Sequence, residues 1–167
     1  MDTIGSAFEP FAAELRRGGF AEPAAGWPAE LVAAHVARNN DLIAEAAERI
    51  AAGEETRYDN EVAVDDAGLR AYAASLGGLP GLAAAVEASG RRLAAARRAL
   101  DERSSSQLLM VVIRDSGRVV RDGPMPISSL IEGNLSFHLA MHLEQLRSLR
   151  RAAETPRTAD APAESGV

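Results

Sequence analysis

Hydrophobic residues along most of the chain recur every three or four positions, which is the spacing that places them on one face of an α-helix. The first such stretch predicts a helix over 3–17. Its apolar positions are Ile4, Phe8, Phe11 and Leu15. Pro10 either kinks this helix or belongs to its first turn. Two glycines at 18–19 end it, and 20–26 is typical of a connecting loop.

The second helical stretch has recognisable ends. Pro28 suits a first helical position, and the apolar pattern continues until Gly53. The polar and acidic residues that follow, 54–65, predict a loop.

A third helical region follows the predicted loop. Asp65 or Asp66 is suited to cap it, and the apolar spacing continues to about Arg103. The glycine pair at 77–78 and Pro80 predict a break or bend within it.

The pattern then changes from helical spacing to a continuous apolar run over 108–113 that is rich in β-branched residues. A glycine-containing turn at 115–117 and a second short run at 118–120 predict a β-hairpin. Pro124 and Pro126 are expected to close it.

The last long helix is predicted to begin after the hairpin and to extend to about Ala153. Ser128 or Ser129 could cap it, with Glu132 as the capping-box partner. The remaining stretch, 154–167, is rich in Pro, Ala, Glu and Ser and predicts a disordered tail.

Together these elements predict an all-α domain over 1–153, a four-helix bundle with a small β-hairpin between helices three and four. The composition agrees, since 34 of the 167 residues are alanine and only 4% are aromatic. This length needs neither disulfides nor a metal in order to fold.

Charge and composition exclude several classes of function. A net charge of −6 disfavours a sequence-independent grip on nucleic-acid phosphates. The chain has no cysteine, which excludes disulfides, thiolate ligands and a cysteine nucleophile. The N-terminal sequence lacks signal-peptide character and the longest apolar run is too short to cross a bilayer. A soluble, cytoplasmic protein is therefore expected.

The three histidines are the strongest chemical signal in the sequence. His138 and His142 are four residues apart on the last predicted helix, and therefore lie on one face. His35 lies midway along the second helix, from which it could complete a three-nitrogen metal site. Three protein ligands leave a coordination position open, as in catalytic sites. Histidines that only pack in the core are the alternative.

Three amides are candidates to orient these imidazoles or a bound water. Asn134 and Gln145 extend the polar line of the last helix, and Asn39 lies one turn beyond His35. Trp27 is expected to anchor the entrance of the second helix in the core.

Two segments resemble the DinB-like (YfiT-like) superfamily, which includes the metal-binding domain of mycothiol-dependent maleylpyruvate isomerases. The segment 26–35, GWPAELVAAH, is similar to the family's GW-x-x-x-x-L-x-x-H pattern, with Val32 at the aliphatic position. The segment 137–146, FHLAMHLEQL, is similar to its closing HxxxH-x-x-QL helix, and the hairpin before Pro-x-Pro resembles the isomerase branch. The resemblance covers about 3–151.

The resemblance implies that His35, His138 and His142 bind a divalent metal, zinc or nickel. It also implies homodimers and an S-transferase or isomerase reaction with a low-molecular-weight thiol such as mycothiol or bacillithiol. The isomerase has Glu-x-x-x-His where this chain has His138, which argues against maleylpyruvate as the substrate.

We therefore expect a metal-dependent transferase in which an external thiol attacks an electrophilic small molecule. Mycothiol is favoured over bacillithiol as this thiol. A metal-dependent hydrolase and a non-catalytic metal- or small-molecule-binding bundle in stress response are the alternatives. A carboxylate-bearing substrate would need a nearby arginine. The candidates are Arg38, Arg114, Arg118 and Arg121.

Overall fold

The computed structural model describes residues 3–154, which are mostly helical with a small three-stranded sheet. The N-terminal and central helices are α1 (Thr3–Ala7), α2 (Glu9–Arg17), α3 (Ala29–Ala51), α4 (Glu61–Val64), α5 (Asp66–Ser75), α6 (Leu79–Ala99) and α7 (Glu102–Ser105). The strands and the C-terminal helices are β1 (Arg57–Asp59), β2 (Leu108–Asp115), β3 (Arg118–Pro126), α8 (Ile127–Gly133) and α9 (Leu139–Glu154), with a π-helical turn Asn134–His138 between α8 and α9. The predicted tail lies outside the described residues, except for Glu154.

The predicted first helix is two helices, and the break precedes the proline. Pro10 lies in the first turn of α2, where its missing N–H costs no hydrogen bond. Phe8 at the junction is fully buried and packs against Gly90 of α6, where a Cβ atom would overlap its ring. A glycine at this position therefore allows α1 and α2 to approach α6 closely.

Helices α2, α3, α6 and α9 contribute side chains to a shared hydrophobic core. α3 contacts α6 and α9, and α2 contacts the same two helices. A buried ion pair joins α2 to α9, with Arg150 Nε 2.6 Å from Glu14 Oε1. The core includes the fully buried side chains of Phe11, Leu15, Val32, Ile43, Leu82, Leu93 and Leu146.

The hairpin is present as predicted, and it carries a third strand that the sequence pattern missed. β2 pairs antiparallel with β3, and Ser116 and Gly117 form the turn with positive φ angles. β1 pairs parallel with β2, where Tyr58 lies opposite Val111. The prediction of a loop over 54–65 was wrong, because this stretch contains both β1 and α4. β1 has only three residues and is stabilised by pairing with β2, which is distant in the sequence.

The start of the last helix also differs from the prediction. Pro124 and Pro126 lie within β3, and α8 begins at Ile127 without a side-chain cap. The serines proposed as caps therefore lie inside the helix. The predicted breaks before α6 and the cap of α5 are confirmed, since the Asp65 side chain accepts a hydrogen bond from the Gly68 backbone.

No helix in the described part of the chain is both long enough and apolar enough to cross a membrane.

The contact at Gly90 makes a test of the packing. Alanine is usually better than glycine inside a helix by about 1 kcal/mol, but here its methyl group would push against the Phe8 ring. We expect Gly90→Ala to lower the free energy of unfolding by about 1–3 kcal/mol, as overpacking does, measured by urea denaturation. Gly133→Ala is the control, because nothing lies within 4 Å of a Cβ at that helical position. Equal stabilisation by both substitutions would contradict the packing described here.

Candidate metal centre

The structure brings the three histidines of the sequence together. One ring nitrogen from each of His35, His138 and His142 lies within 4.8 Å of the others. The ring centroids are 4.5–4.8 Å apart. His35 and His142 are buried, with 4% and 6% of their surface exposed, and His138 is partly buried. α3 supplies the first ligand candidate, and the C-terminal helical segment supplies the other two.

The hydrogen bond of His35 fixes which of its nitrogens faces the cluster. Its Nδ1 lies 2.5 Å from the Ala63 carbonyl oxygen, which can only accept a hydrogen bond. The proton is therefore assigned to Nδ1, and the Nε2 lone pair points toward the other two imidazoles. A backbone carbonyl of this kind is a usual partner of a metal-binding histidine.

His142 is oriented in the same way by a side chain of its own helix. Its Nδ1 lies 2.9 Å from Gln145 Oε1, and a proton on Nδ1 leaves Nε2 free to act as a ligand. Gln145 was predicted from the sequence to contact the site, and the structure places it there. Glu144 on the same helix is exposed and pairs with Arg151 instead.

Of the three imidazoles, that of His138 alone has a buried nitrogen without a hydrogen-bond partner in the described part of the chain. Its Nε2 lies 2.7 Å from Nε2 of His35. Since the His35 lone pair occupies that position, His138 Nε2 must carry the proton of this hydrogen bond. Its Nδ1 lone pair is then buried without a hydrogen-bond partner among residues 3–154. A cation that accepts the imidazole lone pairs would replace this contact, so the three histidines are a donor set that fits a divalent metal.

Burial keeps the cluster neutral, which is the protonation state that a metal requires. Burial lowers the pKa of His35 to about 4, helped by the charge of His142 and opposed by the Ala63 carbonyl and Asp115. Burial also lowers the pKa of His138 to about 2, and the two neighbouring histidines add to the effect. The pKa of His142 falls for the same reason, although Gln145 and Asp115 oppose the change. The Asp115 carboxylate thus favours positive charge at the cluster.

Two of the predicted amides lie beside the histidines but bind each other. Asn39 Nδ2 donates to Asn134 Oδ1 at 2.9 Å, and Asn134 Nδ2 donates to Asn40 Oδ1 at 2.9 Å. The Tyr58 hydroxyl donates to Asn39 Oδ1, and Asn40 Nδ2 donates to Ser89 Oγ at 3.2 Å. These amides therefore bridge α3 to the last helix and do not hold a histidine directly.

The π-helical turn between α8 and α9 contains both Asn134, which binds the asparagines of α3, and His138, which contacts His35. The Leu139 N–H bonds to the Asn134 carbonyl, five residues back. This wider turn rotates Asn134 relative to His138 compared with an unbroken α-helix, so that Asn134 faces the two asparagines of α3 and His138 faces His35. The sequence pattern predicted one continuous polar line and missed this rotation.

Trp27 covers one side of the cluster. Its ring centroid lies 5.0 Å from that of His35, and its Nε1 donates to Asp66 Oδ1 at 2.8 Å. It packs against the core, as the sequence analysis expected, and also limits access to the imidazole.

Two cavities lie beside the histidines. One, of about 490 Å³, has His138 in its wall. The other, of about 520 Å³, has His142, Gln145, Trp27 and Asp115 in its wall. Met141 borders both. The cluster can therefore be approached from two sides.

The four candidate arginines are absent from the walls of both cavities. Arg38 lies over the Tyr72 ring, 4.6 Å from its centroid, and Arg114 pairs with Asp59 at 3.0 Å. Arg121 donates to the Pro124 carbonyl at 3.0 Å, and Arg118 is exposed in β3. None is placed to bind a carboxylate beside the histidines.

Four further residues of this region were not predicted from the sequence: Asn40, Tyr58, Ala63 and Asp115. Asn40 had a signal, because two consecutive asparagines inside a long helix are unfavourable unless their side chains have partners. Ala63 contributes only its backbone carbonyl, which no side-chain pattern reveals.

Comparisons of this chain with protein-family models, with curated proteins and with solved structures gave no match. The DinB-like assignment therefore remains a resemblance in two motifs.

The lowered pKa values predict how the metal-free protein responds to acid. Above pH 6.5 the histidines are neutral in both the folded and the unfolded state. Below it the unfolded chain takes up protons that folded His35 and His138 reject, so stability falls as the pH falls toward 4. We expect a loss of about 2 kcal/mol per buried histidine between pH 6.5 and 5. Urea denaturation of chelator-treated protein measures it.

The His138→Gln variant isolates the contribution of this histidine, because it removes one titratable group and leaves every carboxylate in place. We expect a shallower loss of stability over the same pH range. Identical pH profiles for the two proteins would show that His138 is not buried in neutral form.

Proposed function

We propose that this chain is a divalent-metal-binding protein of the DinB-like type. In this proposal His35, His138 and His142 hold zinc or nickel, and the site serves an S-transferase or isomerase reaction with an external thiol such as mycothiol. The observation that carries it is the convergence of three imidazole nitrogens within 4.8 Å, two of them oriented by hydrogen bonds to their other nitrogen.

The helix contacts support the bundle architecture that the resemblance implies. α3 packs on α6, α6 on α2, α2 on α9, and α9 again on α3. We infer that these segments, with α1 and α8 as extensions, form a four-helix bundle. The histidines lie between two neighbouring members of this ring, where bundle proteins commonly build metal sites.

The chain's own residues prepare the site for a cation and a small molecule. The Ala63 carbonyl and Gln145 hold two imidazoles in the ligand orientation, and the asparagine bridge fixes α3 against the last helix. Trp27 limits water on one side. A divalent metal at this position would supply Lewis acidity, which lowers the pKa of a thiol that reaches it.

An external thiol fits the composition and the two cavities. The chain has no cysteine that could compete for the metal. The cavity beside His142 carries the polar groups of Asp66, Asp115 and Gln145, which can hydrogen-bond a polar cosubstrate. The cavity beside His138 is available to the electrophile.

Metal content tests the first part of the proposal. Protein purified without a histidine tag, loaded with Zn²⁺ or Ni²⁺ and then desalted, should retain about one ion per chain by elemental analysis. His138→Gln should lose that ion while keeping the helical circular-dichroism spectrum. Wild-type protein that retains no metal after loading would overturn the proposal.

A matched pair on α9 tests how His142 is held. Gln145→Ala removes the partner of His142 Nδ1 and should weaken metal affinity about 10- to 100-fold. Glu144→Ala alters the exposed neighbouring residue and should leave affinity unchanged in the same competition assay with a chelator. Equal losses in the two variants would show that Gln145 does not orient the ligand.

Thiol-dependent turnover tests the reaction class. Metal-loaded protein with mycothiol and an uncharged alkyl or aryl halide should consume free thiol, as an S–C bond forms and halide and a proton leave. His138→Gln should lose this activity. Product release from esters without thiol would favour the hydrolase, and metal binding without turnover in either assay would favour the non-catalytic bundle.

A further inference from the structure

The cavity beside His138 differs in chemistry from its neighbour. Among residues 3–154, no aspartate, glutamate, lysine or arginine lines it. Its apolar lining residues are Ile43, Ile113, Met125, Leu130, Phe137 and Met141. Its volume of about 490 Å³ is that of a small-molecule site.

The amide and phenol side chains in the wall of this cavity already have hydrogen-bond partners. Tyr58, Asn39 and Asn134 belong to the hydrogen-bonded bridge described above. Asn60 both donates to the Arg114 carbonyl and accepts from its N–H, at 3.0 and 2.7 Å. A charged ligand would therefore lose its hydration here and find no opposite charge, which is costly.

A helical glycine keeps one side of the cavity open. Gly133 ends α8 with ordinary helical backbone angles of −61° and −39°, so the backbone does not require glycine. Nothing lies within 4 Å of a Cβ built there, so packing does not require it either. Glycine is nevertheless, proline aside, the least favourable residue in a helix. The space that it leaves belongs to the cavity, since Gly133 lines it.

Exposed apolar side chains continue the cavity toward solvent. Phe137 is 81% exposed and Met141 is 59% exposed, and both border it. His138 lines the same cavity, so an apolar molecule that they contact there is also near the imidazole.

We propose that this cavity is the binding site for an uncharged, largely apolar small molecule, which it presents to His138. The role of this cavity as the site of the electrophile rests on the proposed function. Binding of a small apolar molecule in the cavity does not depend on it. Carboxylate-bearing compounds should bind this cavity more weakly, because no arginine among residues 3–154 lines it.

Two fluorescent probes that differ mainly in charge test the ligand class. N-phenyl-1-naphthylamine is uncharged, and 8-anilino-1-naphthalenesulfonate adds a sulfonate to a similar ring system. We expect the uncharged probe to bind at least about tenfold more tightly, with a blue shift in its emission. Equal or tighter binding of the sulfonate would overturn the proposal.

A matched pair of variants tests the location. Gly133→Leu places a side chain in the open space and should weaken binding of the uncharged probe by about tenfold. Glu132→Leu adds the same side chain at the neighbouring exposed position and should change it less than about twofold. Equal effects of the two variants would place the probe elsewhere and overturn the proposal.

Two further measurements separate this inference from the proposed function. Chelator-treated protein should bind the uncharged probe as the loaded protein does, so a failure to bind metal leaves this test intact. Gly133→Ala should raise the melting temperature by about 3 °C, and a decrease would show that the glycine is needed for packing. Probe binding that disappears as protein concentration rises would assign the cavity to a second copy of the chain and overturn the proposal.

Discussion

The hydrogen bonds between the asparagines of α3 and Asn134 set the register on which the rest of the site depends. Asn134 binds both Asn39 and Asn40, so the last helix can neither slide nor rotate on α3 without breaking buried hydrogen bonds. His35 lies one turn before Asn39, and His138 one wide turn after Asn134. The two imidazoles therefore meet as a consequence of the amide contacts.

This bridge positions the site more than it stabilises the fold. Buried hydrogen bonds replace bonds to water and contribute little net free energy, whereas leaving one of the groups unpaired is costly. Apolar packing at the same place would serve stability equally well but would allow other registers. At one end of the bridge the Tyr58 hydroxyl donates to Asn39, and at the other end Asn40 donates to Ser89. The buried amides at both ends therefore have hydrogen-bond partners.

The long helical stretches, the hairpin and the meeting of the three histidines could be predicted from the sequence, because each depends on local periodicity or on residue type. The sequence was not sufficient for β1, since the strand Arg57–Asp59 is stabilised by pairing with β2, about fifty residues later in the sequence. The π-helical turn could not be predicted either, because residues four positions apart, such as Asn134 and His138, give the same sequence pattern in an α-helix and in a π-helix. Gln145 was predicted correctly as a neighbour of His142 because both lie on one regular helix.

Several unfavourable local features of the fold lie together in the stretch 133–142. It contains a helical glycine that neither backbone nor packing requires, a π-helical turn, and two exposed apolar side chains. It also contains two of the three imidazoles that burial keeps neutral. By contrast Gly90, also in a helix, is explained fully by the Phe8 ring beside it. Proteins depart from local preferences chiefly where function requires it, and this stretch forms the boundary between the imidazole cluster and the apolar cavity.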